Sequence, residues 1–157
     1  MPGPLDGVNV VEMGVWVAGP AAGGILADWG ADIVKIEPLA GDPARTFQKM
    51  LGGDMPNNPV FELDNRSKRS IALDLTTEAG LEIAAELIAE ADVFVTNVRL
   101  GGLERLGLDH ETLCARHPRL VYAAITGYGL DGPDADRAAY DIAAFWARSG
   151  IAHLLTP

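Results

Sequence analysis

The chain is short of cysteine, of positive charge and of long apolar runs, and each shortage closes off a class of function. It has a single cysteine, Cys114, which excludes an internal disulfide framework and fits a reducing compartment. Lysine and arginine number 12 against 22 aspartates and glutamates, for a formal net charge of −10. A nucleic-acid partner draws on surplus basic residues, so none is expected. A small anionic ligand needs only a local basic pocket and stays open. No apolar run approaches the roughly 20 residues of a membrane span. The opening MPGPLDG has neither the basic region nor the apolar core of a signal peptide. These features lead us to expect an acidic, soluble, cytoplasmic domain without a membrane partner. The G-x-S-x-G elbow, the Walker lysine and H-E-x-x-H are also missing, leaving those hydrolytic classes without support.

What is present is an ordinary globular composition, 48% hydrophobic and 22% charged over 157 residues. That length suits one domain with a proper core. Five apolar or β-branched runs, at 8–13, 32–36, 70–75, 93–96 and 120–126, read as strands. Most are almost wholly apolar, as for parallel strands buried on both faces. Helical patterns separate them, at 77–90, at 110–117 with Asp109 as N-cap, and at 140–149. Strands alternating with helices predict an α/β fold: a Rossmann-like open, mostly parallel sheet with helices on both faces. The stretches 38–68 and 127–138 read as long connections, the kind that carry binding loops.

The segment 8–37 is the most informative. An apolar run meets a glycine-proline turn, a helix of small residues follows, and a second apolar run ends in Lys35-Ile36-Glu37. A strand that turns into a helix and returns in parallel places backbone N–H groups at a cleft mouth. Small residues such as Gly19, Gly23 and Gly24 let a ligand approach the main chain. A dinucleotide fingerprint would need glycines where Trp16 and Val17 stand, which argues against a nicotinamide or flavin site. The plain alternative is a strand-to-helix turn with Pro20 at the first helical position.

Other clusters admit two readings. Arg66, Lys68 and Arg69 either pair with a phosphate or form a solvated rim balancing Glu62 and Asp64. Asn97 and Arg105 follow the fourth strand, where open α/β sheets bind ligands. Otherwise that stretch is a short capped helix turned by its glycines. His110, Cys114 and His117 share a helix face, but a closed zinc site needs four ligands and no second cysteine exists. No metal is expected, and Cys114 reads as packing. Asp131, Asp134 and Asp136 lack the glycine and closing glutamate of a calcium loop.

In sequence order the blocks PLDGVNVVEMG, AGPAAGGILADWGADIVKIE, GDPAR, NRSKRSIALDL, ADVFVTNVRLGGLERLG, HPRLVYAAITGYGLDGP and AAYDIAAFWARSG resemble the family III CoA-transferases. That group also holds formyl-CoA transferases, carnitine CoA-transferases and α-methylacyl-CoA racemases. The resemblance implies that coenzyme A, as substrate, lies across the first strand-helix turn, and that two chains interlock as rings in a homodimer. It implies that Trp16, Val17 and Ala18 line CoA and that Arg45 lies near its phosphates. Leu73 would touch the adenosine end, Asn97 and Val98 the pantetheine, and Arg105 and Leu106 the nucleotide. Tyr128 would sit towards the acyl end. Family members often carry a basic residue where this chain has Pro38; that phosphate contact is then either absent or supplied by Arg45, Lys68 or Arg69.

The implied reaction transfers CoA from an acyl-CoA to a carboxylic acid through an aspartyl-CoA thioester, a form of covalent catalysis. The nucleophilic aspartate lies in a Gly-Asp segment that aligns after Pro157. Residues 1–157 are therefore expected to be an N-terminal CoA-binding portion, inactive alone. Asp141 matches a different family position and reads as a helix-start residue. The racemase branch carries a histidine where Tyr140 stands, and a phenol of pKa near ~10 is a poor base at neutral pH. That favours transferase over racemase. A non-catalytic module holding an acyl-CoA or fatty acyl chain is the other alternative.

Overall fold

Strand β1 (Asn9–Met13) runs into helix α1 (Ala18–Asp28), and the chain returns as β2 (Asp32–Glu37). A 3-10 turn (Pro43–Thr46), α2 (Phe47–Met50) and α3 (Pro59–Asn65) lead to β3 (Arg69–Ala72). Helix α4 (Glu78–Ala89) precedes β4 (Val93–Thr96), and α5 (Leu100–Leu106) with α6 (His110–Arg116) precedes β5 (Val121–Ala124). A π-helical segment (Ile142–Ala147) and α7 (Ile151–Leu155) follow. This computed structural model describes residues 2–50, 52–140 and 142–156.

All five strands are parallel, in the order β3-β2-β1-β4-β5. Because strand side chains alternate, each strand feeds two cores. Val11, Met13, Ile36 and Phe94 pack with Ala84, Ile88, Leu103 and Leu113 from α4, α5 and α6. Val10, Ile33 and Val95 pack with Ala22 and Leu26 of α1 on the other face. The expected α/β architecture, with helices on both faces, is the observed one.

Local chemistry sets the ends of the helices. Thr77 caps α4 by accepting the Gly80 N–H at 3.1 Å, and Asp109 caps α6 through Thr112 at 2.9 Å. Gly107 closes α5 with a left-handed φ of 66°, which glycine adopts without strain.

Three expectations are corrected. The connection 38–68 is not loop throughout: it carries a 3-10 turn and two short helices, and α3 forms because Asn58 accepts the N–H groups of Val60 and Phe61 and Pro59 opens it. Helix α1 begins at Ala18, so Pro20 is its third residue, buried in the first turn where its missing N–H is harmless. The stretch 140–149 is a π-helical segment and a turn rather than one α-helix. Asp141 lies outside the described residues.

Candidate functional site

Strand order reverses between β1 and β4, so the chain diverges at their carboxyl ends and leaves a crevice there. The turn at 14–17 forms one wall. Its backbone is held by side chains from two other elements. Asn97, just after β4, accepts the Val15 N–H at 2.9 Å and donates to the Val15 carbonyl at 2.8 Å. Asp42, from the connection after β2, accepts the Trp16 N–H at 3.1 Å. Trp16 has φ of 64°, the left-handed region that bulky residues avoid. Its ring meets Phe47 and Tyr140 edge-on, at 5.8 and 6.4 Å between centroids.

Beneath this turn lies an array of charges that no apolar-strand reading anticipates. Glu12 and Lys35 are cross-strand neighbours in β1 and β2, and their side chains meet at 2.9 Å. The Lys35 ammonium also reaches Asp42 at 2.9 Å and donates to the Gly14 carbonyl at 2.9 Å. The second oxygen of Glu12 takes Lys68 at 2.6 Å, and Lys68 donates to the Pro20 carbonyl as well. Glu12, Lys35 and Asp42 are no more than 2% exposed. Burial draws the Lys68 amine down from its ordinary pKa, against the opposing pull of Glu12. Beside the array, Glu37 accepts from Arg45, Ser70 and the Asp42 N–H. Burial opposes ionisation of Glu37, but these donors outweigh it and bring its pKa down to about 2.

The glycines of α1 serve this packing. A Cβ at Gly19 would stand 3.1 Å from the Asn97 amide oxygen, and one at Gly23 would collide with the Glu12 carboxylate. The small-residue helix therefore lets side chains approach it from inside.

Two recesses open on either side of Val98. One, of about 430 Å³, is walled by Gly14, Val15, Ile36, Leu73, Val98 and Leu106. The other, of about 240 Å³, is bordered by Ala18, Asn97, Val98, Arg99, Thr126 and Tyr140. The first is almost wholly apolar and suits a flat ring or alkyl chain. The second is more polar.

The resemblance-derived positions fall unevenly on this geometry. Leu73, Val98 and Leu106 share the apolar recess, while Ala18, Asn97 and Val98 border the polar one. Trp16 and exposed Val17 form the turn between them. Arg105 is exposed at the end of α5, and neither it nor Arg99 has an ion-pair partner among the described residues. The Arg45 guanidinium forks onto Glu37 and lies over Phe61, with 45% of its side chain exposed. Tyr128 lies under Arg148, 5.0 Å from ring centroid to guanidinium, and borders neither recess.

The basic knot turns inward or pairs locally. Lys68 is 2% exposed against Glu12, Arg66 pairs with Asp28, and Arg69 pairs with Asp32 at 2.7 Å. Asp32 opens β2, so Arg69 sits at the end of the sheet opposite the crevice. Neither Lys68 nor Arg69 is placed to replace a base at Pro38, and their partners are not Glu62 or Asp64. Among the described residues no group of three or more His, Cys, Asp or Glu is placed to hold a metal. His110 instead meets the Tyr122 ring edge-on, and Asp136 accepts the Gly101 N–H.

Comparison with known proteins decides the family. The sequence pattern of CoA-transferase family III matches residues 5–157. The chain belongs to that family. It is 44% identical over 153 residues to cinnamoyl-CoA:phenyllactate CoA-transferase of Clostridium sporogenes, covering 96% of this chain and 37% of that one. It is 40% identical over 151 residues to (R)-2-hydroxy-4-methylpentanoate CoA-transferase of Clostridioides difficile, covering 94% and 37%. Among solved structures it resembles a CAIB/BAIF family protein from Brucella suis, with TM-score 0.85, 44% identity and coverage of 96% and 40%. The chain thus spans little more than a third of the curated relatives' length. In this family III sequence the crevice is built from the turn, Asn97 and Asp42.

Signals for the buried array were present but faint. Lys35 and Glu37 are two residues apart in a strand and so share a face, and Glu12 breaks the apolar run of β1. Asp42 carried no such mark.

Proposed function

We propose that this chain is the CoA-binding portion of an enzyme that moves CoA between an acyl-CoA and a carboxylic acid. The observation that carries this reading is the crevice at the reversal of strand order, where Val98 joins an apolar recess to a polar one beside a rigidly held turn. The apolar recess suits the adenine ring between Leu73 and Leu106, and the turn suits the pantetheine arm. Exposed Arg105 supplies charge for the phosphates in a chain of net charge −10. Arg45 contributes from the rim while remaining bound to Glu37.

In the whole protein a carboxylate contributed by sequence after Pro157 attacks the thioester carbon. The thiolate leaves and a mixed anhydride forms. CoA thiolate then attacks the anhydride at the enzyme carbonyl, releasing the donor acid and leaving an enzyme-bound thioester. The acceptor carboxylate repeats the sequence in reverse order. On this reading residues 1–157 bind CoA without turnover, and the whole protein works as a cytoplasmic homodimer.

Calorimetric titration of the whole protein with CoA and with NAD tests the reading. CoA binding without NAD binding is expected, and preference for NAD overturns it. Incubation of a 2-methylacyl-CoA in deuterated water without an acceptor acid separates the branches. Deuterium uptake at the α-carbon would mark a racemase, and its absence together with acceptor-dependent transfer marks a transferase.

A further inference from the structure

We propose that Asp42 is the positioning residue of the ligand turn: the buried Glu12–Lys35–Asp42 array holds Trp16 in its left-handed backbone conformation and so presets the wall against which CoA lies. The inference rests on the CoA reading above and deepens it.

A bulky residue at φ 64° is disfavoured for a chiral backbone, so neighbouring structure must hold it there. The ring cannot do so alone, because its edge-on contacts with Phe47 and Tyr140 set no direction for the Trp16 N–H. The N–H of Trp16 is bound to one oxygen of Asp42, which also takes the Ala44 N–H at 2.9 Å. The other Asp42 oxygen meets Lys35, and the Asp42 N–H is bound to Glu37 at 2.9 Å. Lys35 in turn grips the Gly14 carbonyl. The array therefore touches the turn at both Gly14 and Trp16, while Asn97 holds Val15 between them.

Burying the charges of Glu12, Lys35 and Asp42 here is a poor way to gain stability. Well-packed apolar groups of similar volume are often as stabilising as a buried ion pair or more so, and these same strands bury apolar groups on their other face. What the charges add is direction: a short charge-assisted bond has one geometry, and a methyl contact has many. The array selects one backbone conformation of the turn before the ligand arrives, so binding does not have to order it.

The whole protein, labelled with fluorotryptophan, provides the test. Its Trp16 fluorine resonance is assigned by disappearance in Trp16→Phe. Wild type should show one narrow Trp16 signal that shifts with CoA. Asp42→Ala should broaden or split that signal before ligand is added and raise the Kd for CoA about tenfold, as expected for a lost charge-assisted bond. The KM for acyl-CoA should rise in parallel, with kcat changed less than about threefold. Asp42→Asn keeps an acceptor oxygen for the Trp16 N–H and should show a smaller loss, which keeps the test available if the alanine variant does not fold.

An unchanged Trp16 signal and unchanged Kd in Asp42→Ala, or in Asp42→Asn where the alanine variant does not fold, together with lowered thermal stability, would show a merely structural aspartate and overturn the proposal. Failure of wild type to bind CoA overturns the CoA reading instead. In that case the ligand-free spectra still decide whether Asp42 holds Trp16.

Discussion

On one side of the sheet, β1 and β4 present Val11, Met13 and Phe94 to an apolar core shared with α4, α5 and α6. On the other side the same β1 presents Glu12 to Lys35 and Lys68, under the turn that leads into α1. The apolar side derives its stability from area removed from water, which is roughly proportional to burial and indifferent to direction. The charged side lies next to the crevice and trades part of that gain for fixed hydrogen-bond geometry. Both faces carry an apolar core, and the buried charges are confined to the part of one face that lies under the turn.

The sharpest way to break this comparison is to remove one group from each face. Glu12→Ala leaves Lys35 and Lys68 without their shared carboxylate, and urea unfolding at pH 7 should show a loss of about 3–5 kcal/mol. Phe94→Ala should cost about the same through its cavity. The two differ in function: CoA affinity, measured well below the unfolding transition, should fall in Glu12→Ala and hold in Phe94→Ala.

Acid titration of Glu37→Gln against wild type probes the charged face. Glu37 ionises near 2 in the folded chain against 4.5 when unfolded, so its contribution is complete above 4.5 and is lost as pH falls from there towards 2. The shift sets an upper bound of about 3 kcal/mol, lowered by solvent screening of half-exposed Arg45. Glu37→Gln should be less stable than wild type at pH 7, and the gap should close across that window. No closing of the gap would remove Glu37 from the account.

Asn97→Ala frees both polar groups of Val15 and should cost about 1–3 kcal/mol, with weakened CoA binding as its functional mark. Arg69→Ala should do least. Its pair with Asp32 is mostly exposed, so a change within about 0.5 kcal/mol is expected in the same unfolding assay. A large effect there would show that the basic knot matters to the whole sheet rather than through Lys68 alone.

The fold was largely legible, because apolar runs spaced by helical patterns leave one sensible arrangement for strands buried on both faces. The ends of β3 and β5 ran too long in the sequence reading, since Leu73 and Leu120 are buried beyond the last ladder pairs and look the same as strand residues. Helix α3 was hidden because Asn58-Pro59, read as a loop, is also a cap and a first helical residue. The site was legible only in part. Leu73, Val98 and Leu106 border one recess and Asn97 and Val98 the other, but the roles of Lys68 and Arg69 depended on which neighbours the fold supplied.

Sequence by itself determined the parallel sheet, the family and the turn between β1 and α1, because these follow from periodicity and from ordered motifs along one chain. The tertiary structure alone decided what holds that turn. Asp42 lies 26 residues from Trp16 and Asn97 lies 82 from Val15. Whether a carboxylate at such a distance faces solvent, a phosphate or a backbone N–H depends on how β2 and β4 flank β1, and that is a property of the folded sheet.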